Sequence, residues 1–495
     1  MIAAHKGLSL RLLRPQAREG VVLVLSLLVT IVLVGLALVF AREMRVEAAA
    51  AANRLAAAQA RAIALGAARA VLALGDELPV DAVPVGGGAF WLLQPNFEDD
   101  RTFAYGIVDE CGKVNLNSAP SEILAALPGM DEAMAAAILD WRDSDDEPQP
   151  YGAESDYYLL LPDPYLCKNA PFETVEELLL LRDFTPIELY GEDMNRNGVL
   201  DYNENDASMT LPPDNQDGRL DRGLFDFVTV YSRTSLENLI NLGTSGGSGT
   251  GGPQPVSGAP AAPGGPPQPG GNASSPSGAA SLEQALRKAV EQASQEGLLP
   301  QDRVEAVTAA LLNARPARNL VELYLKSGLK LKEFNAVAPS LTTWQGEEKV
   351  GLINVNTAPK EVLAALPGIE ESDADALISY RLSAGSDSES EEGVDPLESP
   401  AWVAEVLDRE KAIRLGDFIT TRSDQHSVDI VAVSGDGRAF ERYRMVYDTS
   451  GAEPKTLLWQ RLTHLGWPLD PEILSALRSG VPVEDLPRTT YRGSF

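Results

Sequence analysis

Histidine and cysteine are scarce, with three His and two Cys in 495 residues. His5, His426 and His464 are scattered, and neither a His-Glu-x-x-His pair nor a phosphate-binding loop occurs, so hydrolytic and phosphoryl chemistry find no constellation. Cys111 and Cys167 are too few to build a disulfide scaffold. Basic charge is short as well: 41 Lys and Arg against 71 Asp and Glu leave a formal charge of −30, and such a chain repels phosphate backbones overall.

What the sequence does have is one long charge-free run. Residues 21–41, "VVLVLSLLVTIVLVGLALVFA", are long enough at about 1.5 Å per residue to span the ~30 Å core of a bilayer. Lys6, Arg11, Arg14 and Arg18 precede it, so the positive-inside rule places the N-terminus in the cytoplasm and the bulk of the chain beyond the membrane. A secretory signal has an apolar region of only about 7–15 residues, which favours a retained anchor. Past Phe40 the chain is Ala-rich and free of Pro to about Leu74, predicting one continuous helix.

A basic leader ending in Gly20, followed by an apolar helix with an Ala-rich soluble continuation, resembles the secretion pseudopilins and type IV pilins. The resemblance implies cleavage by a prepilin peptidase between Gly20 and Val21, with methylation of the new N-terminus. Most of that class carry Glu at the fifth mature position. Here it is Leu25, a departure that looks like the minor pseudopilin K family of type II secretion and suits a subunit at the tip of the fibre.

Two segments repeat. Gly112–Gly129 and Gly351–Gly368 share twelve of eighteen residues at an offset of 239. Each predicts a short helix starting near Pro120 or Pro359, with Ser118 or Thr357 near the cap, and a second helix packing back, "DEAMAAAILDWR" or "ESDADALISYR". This is the outline of a helix-hairpin-helix. A DNA-gripping turn exposes bare backbone N–H groups to a phosphate, but these turns read Gly129-Met130-Asp131 and Gly368-Ile369-Glu370, with carboxylates where the phosphate would sit. No nucleic-acid partner is expected. A membrane-anchored helix-hairpin-helix protein for DNA binding or uptake is the alternative. The protein K family is also similar in carrying a helical domain inserted in a pseudopilin sheet, which implies an α+β fold: a long transmembrane helix and a small antiparallel sheet interrupted by duplicated helical (helix-hairpin-helix or SAM-like) modules.

The segments 89–110 and 427–448 read as hairpins and 224–232 as a further strand, while 172–184 and 281–294 read as helices. Residues 243–280 hold no charge and no aromatic and read as a linker of about 35 Å typical reach. The expected order is leader 1–20, helix 21–75, strands with the first module and acidic loops 76–242, linker 243–280, helical segment 281–350, second module 351–425, strands 426–452 and tail 453–495. Within the tail, "LLWQRLTHLGW" is amphipathic and expected to dock on the body or a partner.

The sharpest chemical signal is "DMNRNGVLDYNE", residues 193–204. Asp193, Asn195, Asn197, Asp201 and Glu204 fall at positions 1, 3, 5, 9 and 12, with the Val199 carbonyl at 7, Gly198 permitting the turn and Leu200 pointing inward. That spacing wraps a calcium ion in oxygen. A second turn offers Asp214, Asn215, Asp217, the Arg219 carbonyl and Asp221, so one or two calcium ions are expected. Calcium in this region is also what the resemblance implies. In an exported chain Cys111 and Cys167 are expected to bridge, closing a loop of about 57 residues worth roughly 4 kcal/mol. The resemblance further implies an inner-membrane, single-pass protein with no catalytic role. Its implied partners are the major and other minor pseudopilins, with contact to secreted substrates or the outer-membrane channel.

Overall fold

The computed structural model describes residues 18–75, 78, 82–243, 276–386 and 393–486. Most of the leader, nearly all of the 243–280 linker and residues 487–495 lie outside them.

Arg18–Leu74 is a single helix. Its N-terminal half, Val21 to Phe40, presents its side chains outward, and among the described residues it belongs to the one helix long and apolar enough to cross a membrane. The second half is amphipathic through small residues. Ala60, Ala64, Ala67 and Val71 recur every three or four positions and are buried against a seven-stranded antiparallel sheet.

That sheet comprises β1 (Val83–Val85), β2 (Gly88–Gln94), β3 (Ala104–Tyr105), β4 (Val108–Asp109), β5 (Gln425–Val433), β6 (Phe440–Asp448) and β7 (Lys455–Arg461). The order is β1-β2-β5-β6-β7, with β3 on β2 and β4 on β5. Ile430 sits between Leu92 and Tyr443, and Val431 between Trp91 and Arg442. Alternation sends Val428, Ile430 and Ala432 to the long helix and Val431 and Val433 to the opposite face. Gly88 allows the close approach: a Cβ there would meet the Val433 carbonyl at 2.2 Å and Ile63 at 2.7 Å.

The opposite face is covered by the tail. Leu469, Ile473 and Leu477, the last two on the helix Pro471–Arg478, pack on Ala89, Trp91, Leu93, Val431 and Val433. The expected amphipathic segment therefore starts in strand β7, at the sheet edge, and runs on through a short 3-10 turn at Thr463–Leu465. The tail completes the sheet and buries its second face.

Between β4 and β5 the chain builds a helical body in which the two repeats adopt matching structures. In the first, Val114–Asn115 pairs in parallel with Val228–Thr229, and helices Ser121–Ala125 and Glu132–Arg142 follow. In the second, Ile353–Asn354 pairs with Ile419–Thr420 before helices Lys360–Ala364 and Glu371–Ser386. The match runs past the repeated residues. Arg142 donates to the carbonyl of Ala119 at 2.7 Å, and Arg381, at the same offset, donates to that of Ala358 at 2.6 Å. Leu116, Leu124 and Ile138 share one core with Val355, Leu363 and Leu377. A fourth core joins Pro276–Gln295, Val304–Asn313 and Leu320–Ser327 through Leu286, Val290, Val307, Leu311 and Leu323.

Several expectations change. Pro120 and Pro359 are themselves the caps, without side-chain cap bonds, so Ser118 and Thr357 lie two residues ahead of them. Residues 172–184 hold only a 3-10 helix, Val175–Leu180, because the Thr174–Glu177 capping box closes a tight turn that ends at Leu181 in extended conformation. In 224–232 only Val228–Thr229 is strand. The expected bridge is absent: Cys111 and Cys167 are buried free thiols. Cys111 faces the Arg233 carbonyl at 3.8 Å, whereas Cys167 faces that of Asp140 at 3.7 Å at the end of a helix. They occupy different parts of the body.

Candidate metal centre

The helix Pro186–Tyr190 ends at Gly191, whose φ is +64°. A Cβ there would meet the Asp221 carbonyl at 2.0 Å, so glycine lets two acidic turns lie side by side. Glu192, which the sequence pattern does not single out, ties them together. Its carboxylate accepts from the backbone N–H of Asn215 at 3.2 Å and of Asp221 at 3.1 Å. The available signal was its adjacency to the first loop residue, Asp193.

In the first turn Asp193 accepts from the N–H groups of Asn197 at 2.9 Å and Gly198 at 2.8 Å. Asn195 accepts from Asn197 N–H and Asn197 from Val199 N–H, both at 2.9 Å. The amides of Asn195 and Asn197 donate to one Asp201 oxygen at 2.6 and 3.1 Å. Gly198 has φ +74°, as the tight turn requires. Val199 is the buried apolar residue of the turn, and Leu200, expected to point inward, is only half-buried. A short 3-10 helix, Tyr202–Glu204, brings Glu204 back. One oxygen accepts from Asp201 N–H at 3.0 Å, and the other, Oε1, is buried without a partner.

Burial, with Asp193 and Asp201 as neighbours, pushes Glu204 up to about 8; burial and Asp226 push Asp193 up to about 6. The loop thus crowds carboxyl groups together with little water or positive charge to offset their ionisation. A hard divalent cation fits this donor set, with Asp193, Asn195, Asn197, Asp201 and Glu204 as side-chain ligands and the Val199 carbonyl beside them. It would be met by an oxygen that otherwise stays orphaned.

The second turn is more committed to its own backbone. Asp214 accepts from the N–H groups of Ala207 at 3.0 Å, Ser208 at 2.9 Å and Gln216 at 2.9 Å. Asn215 accepts from Asp217 N–H, Asp217 accepts from Arg219 N–H, and Asn215 donates to Asp221, each at 2.8 Å. The structure brings Asn215, Asp217 and Asp221 together but turns Asp214 towards residues 206–208. Among the described residues, the group of three carboxylates whose oxygens lie within 4.8 Å of one another is elsewhere, at Asp140, Asp143 and Glu154.

The repeat turns serve their own helices. Asp131 caps Glu132–Arg142 by accepting from Met134 N–H at 2.8 Å. Asp373 accepts from Glu370 N–H at 3.0 Å and pairs with Lys411 at 2.7 Å. Gly20 and Val21 lie within the long helix.

A membrane-anchoring helix packed on an antiparallel sheet, with a helical body inserted between its strands, defines a pilin-like architecture. Residues 121–190 match a family model described as Type II secretion system (T2SS), protein K, and residues 353–391 match a second model of the same description. The two matches place residues 121–190 and 353–391 with the type II secretion system protein K family. The matches support a role in the type II secretion pseudopilus, and the matched family is structural rather than catalytic. A chain in the crystal structure of the GspK-GspI-GspJ complex from the enterotoxigenic Escherichia coli Type 2 Secretion System aligns at 10% identity. The alignment covers 85% of this chain and 99% of that one, with a TM-score of 0.33. No curated protein matches in sequence.

Proposed function

We propose that this protein is the minor pseudopilin that caps the tip of the type II secretion pseudopilus, anchored in the inner membrane with its N-terminus cytoplasmic and its body periplasmic. One observation carries the reading. The helix that would pack with other subunits lacks a carboxylate at Leu25, while a body of some three hundred residues is inserted into the sheet above it. Without that carboxylate, the helix has no acceptor for a neighbouring subunit's N-terminal amine, so the ordinary axial contact within the fibre is missing. A body of this bulk suits the end of a fibre better than its shaft. Prepilin peptidase would trim the chain after Gly20, leaving Val21 to enter the bundle of apolar helices formed by other minor pseudopilins and the major pseudopilin. From the tip, the body would face secreted substrates or the outer-membrane channel.

Calcium in the 193–204 turn, and in the 214–221 turn beside it, would rigidify the join between body and sheet. The supporting observation is the unpartnered, buried Glu204 Oε1. The tip assignment is tested by labelling the protein on assembled pseudopili and imaging them. Label confined to one fibre end is expected, and label spaced along the shaft overturns the assignment.

A further inference from the structure

The helix Glu132–Arg142 carries Asp140 in its last turn, and Asp143 is its C-cap. The C-terminal end of a helix carries partial negative charge and favours basic side chains. Here two carboxylates three residues apart share a face at that end, and a third, Glu154, folds back onto them from the start of the Ser155–Tyr158 helix. One oxygen of each lies within 4.8 Å of the others.

Asp140 and Glu154 are almost wholly buried, at 0% and 3% exposure. Asp140 accepts from Gln149 N–H at 3.0 Å through Oδ1, but its Oδ2, both oxygens of Glu154 and Asp143 Oδ1 find no hydrogen-bond partner. The weakly donating thiol of Cys167 lies beside Glu154, as do the carboxylates of Asp140, Asp143 and Asp146. Among the described residues no salt bridge reaches any of the three. Arg142, next in sequence, is spent on the carbonyls of Leu116 and Ala119. Lys168 is spent on Glu173 and Glu177. A Cβ at Gly152 would meet Asp140 Oδ2 at 1.9 Å, so the intervening loop closes onto the carboxylate because residue 152 is glycine.

The second copy of the repeat supplies an internal control. The positions equivalent to Asp140 and Asp143 are Ser379 and Leu382, and that helix forms without carboxylates there. The acidic cluster is therefore not a requirement of the repeated fold. Buried carboxylates with unsatisfied oxygens and no cationic partner are costly, and a chain retains them where something compensates them.

We propose that Asp140, Asp143 and Glu154 bind a divalent cation of the calcium class, at a site separate from the two acidic turns. The donor set is all hard oxygen, without His or a thiolate, which selects calcium or magnesium over zinc or copper. Burial first, and neighbouring acidic residues with it, pushes Glu154 up to about 7 and Asp143 up to about 6, as expected where the compensating charge is missing. The ion would pin the 144–153 loop to the helix end and fix the first half of the body.

The test counts ions on the whole chain, purified in detergent, stripped with chelator and equilibrated with calcium alone. Asp143→Asn and Glu154→Gln are each expected to bind one ion fewer than the wild type. Glu204→Gln, in the first acidic turn, should remove a different ion, so that the two losses add when Asp143→Asn and Glu204→Gln are combined. Should Glu154→Gln fail to fold, the half-exposed Asp143→Asn still decides. A folded Asp143→Asn chain that binds as many ions as the wild type overturns the site, and does so whether or not Glu204→Gln changes the count.

Discussion

The guanidinium of Arg442, on strand β6, donates to the carbonyl of Asn195, in the first acidic turn, at 2.6 Å. It also reaches the Arg196 carbonyl and pairs with Asp429 at 3.0 Å, and it is wholly buried. A charge so placed joins the turn to the sheet across nearly half the chain.

Replacing Arg442 with Met is therefore expected to destabilise the body by about 3–5 kcal/mol, since two loop carbonyls and part of Asp429 lose their partner. Calcium affinity should fall at least tenfold with it, because the Asn195–Asn197 backbone is no longer held. Denaturant melts with and without calcium check both. Unchanged melting in the variant would separate turn from sheet.

Glu110 offers a pH signature. Burial alone would raise it, yet Lys113 at 3.0 Å and the hydroxyls of Ser427 and Thr229 hold its carboxyl below the usual 4.5. A carboxylate lowered on folding stabilises the folded state above its unfolded pKa, and that contribution is lost as pH falls through the folded value. The melting-temperature gap between wild type and Glu110→Gln should thus be constant above about pH 5 and close in more acid solution. A gap unaltered by acid would remove the ionised Glu110 from the account.

The tail should prove structural. Leu477 is buried against the sheet, and Leu477→Ala is expected to cost about 2–5 kcal/mol. Truncation before residue 463 should uncover Trp91 and Val433 and lower solubility. Melting and light scattering report the two effects.

The thiols make a separate prediction. Burial, with Asp109 next to Cys111, pushes that thiol up to about 12, and burial likewise takes Cys167 up to about 12. A thiol reagent should leave both unmodified in the native chain and modify both in denaturant without prior reduction. Modification that requires a reductant would restore the bridge.

The sequence disclosed most where one local rule decided the outcome. Ala-rich composition without Pro ran the helix to Leu74, alternation at Val428, Ile430 and Ala432 gave β5, and the repeat located both helix pairs. It disclosed least where distant segments decide. Strand β7 pairs with β6 through residues whose amphipathic pattern says nothing of an edge, and Val228–Thr229 is strand only because Val114–Asn115 lies beside it. In the candidate metal centre, the turn spacing was legible from 193 to 204, but Glu192 and Arg442 enter through folding alone. Cysteine count and compartment argued for a bridge that the packing of the body separates.

The most direct measurement is the mass of the mature N-terminus of the membrane-bound protein. The account predicts a chain beginning at Val21 and retained in the inner membrane. Recovery of the intact chain from Met1, or of a cleaved chain released from the membrane, would contradict it.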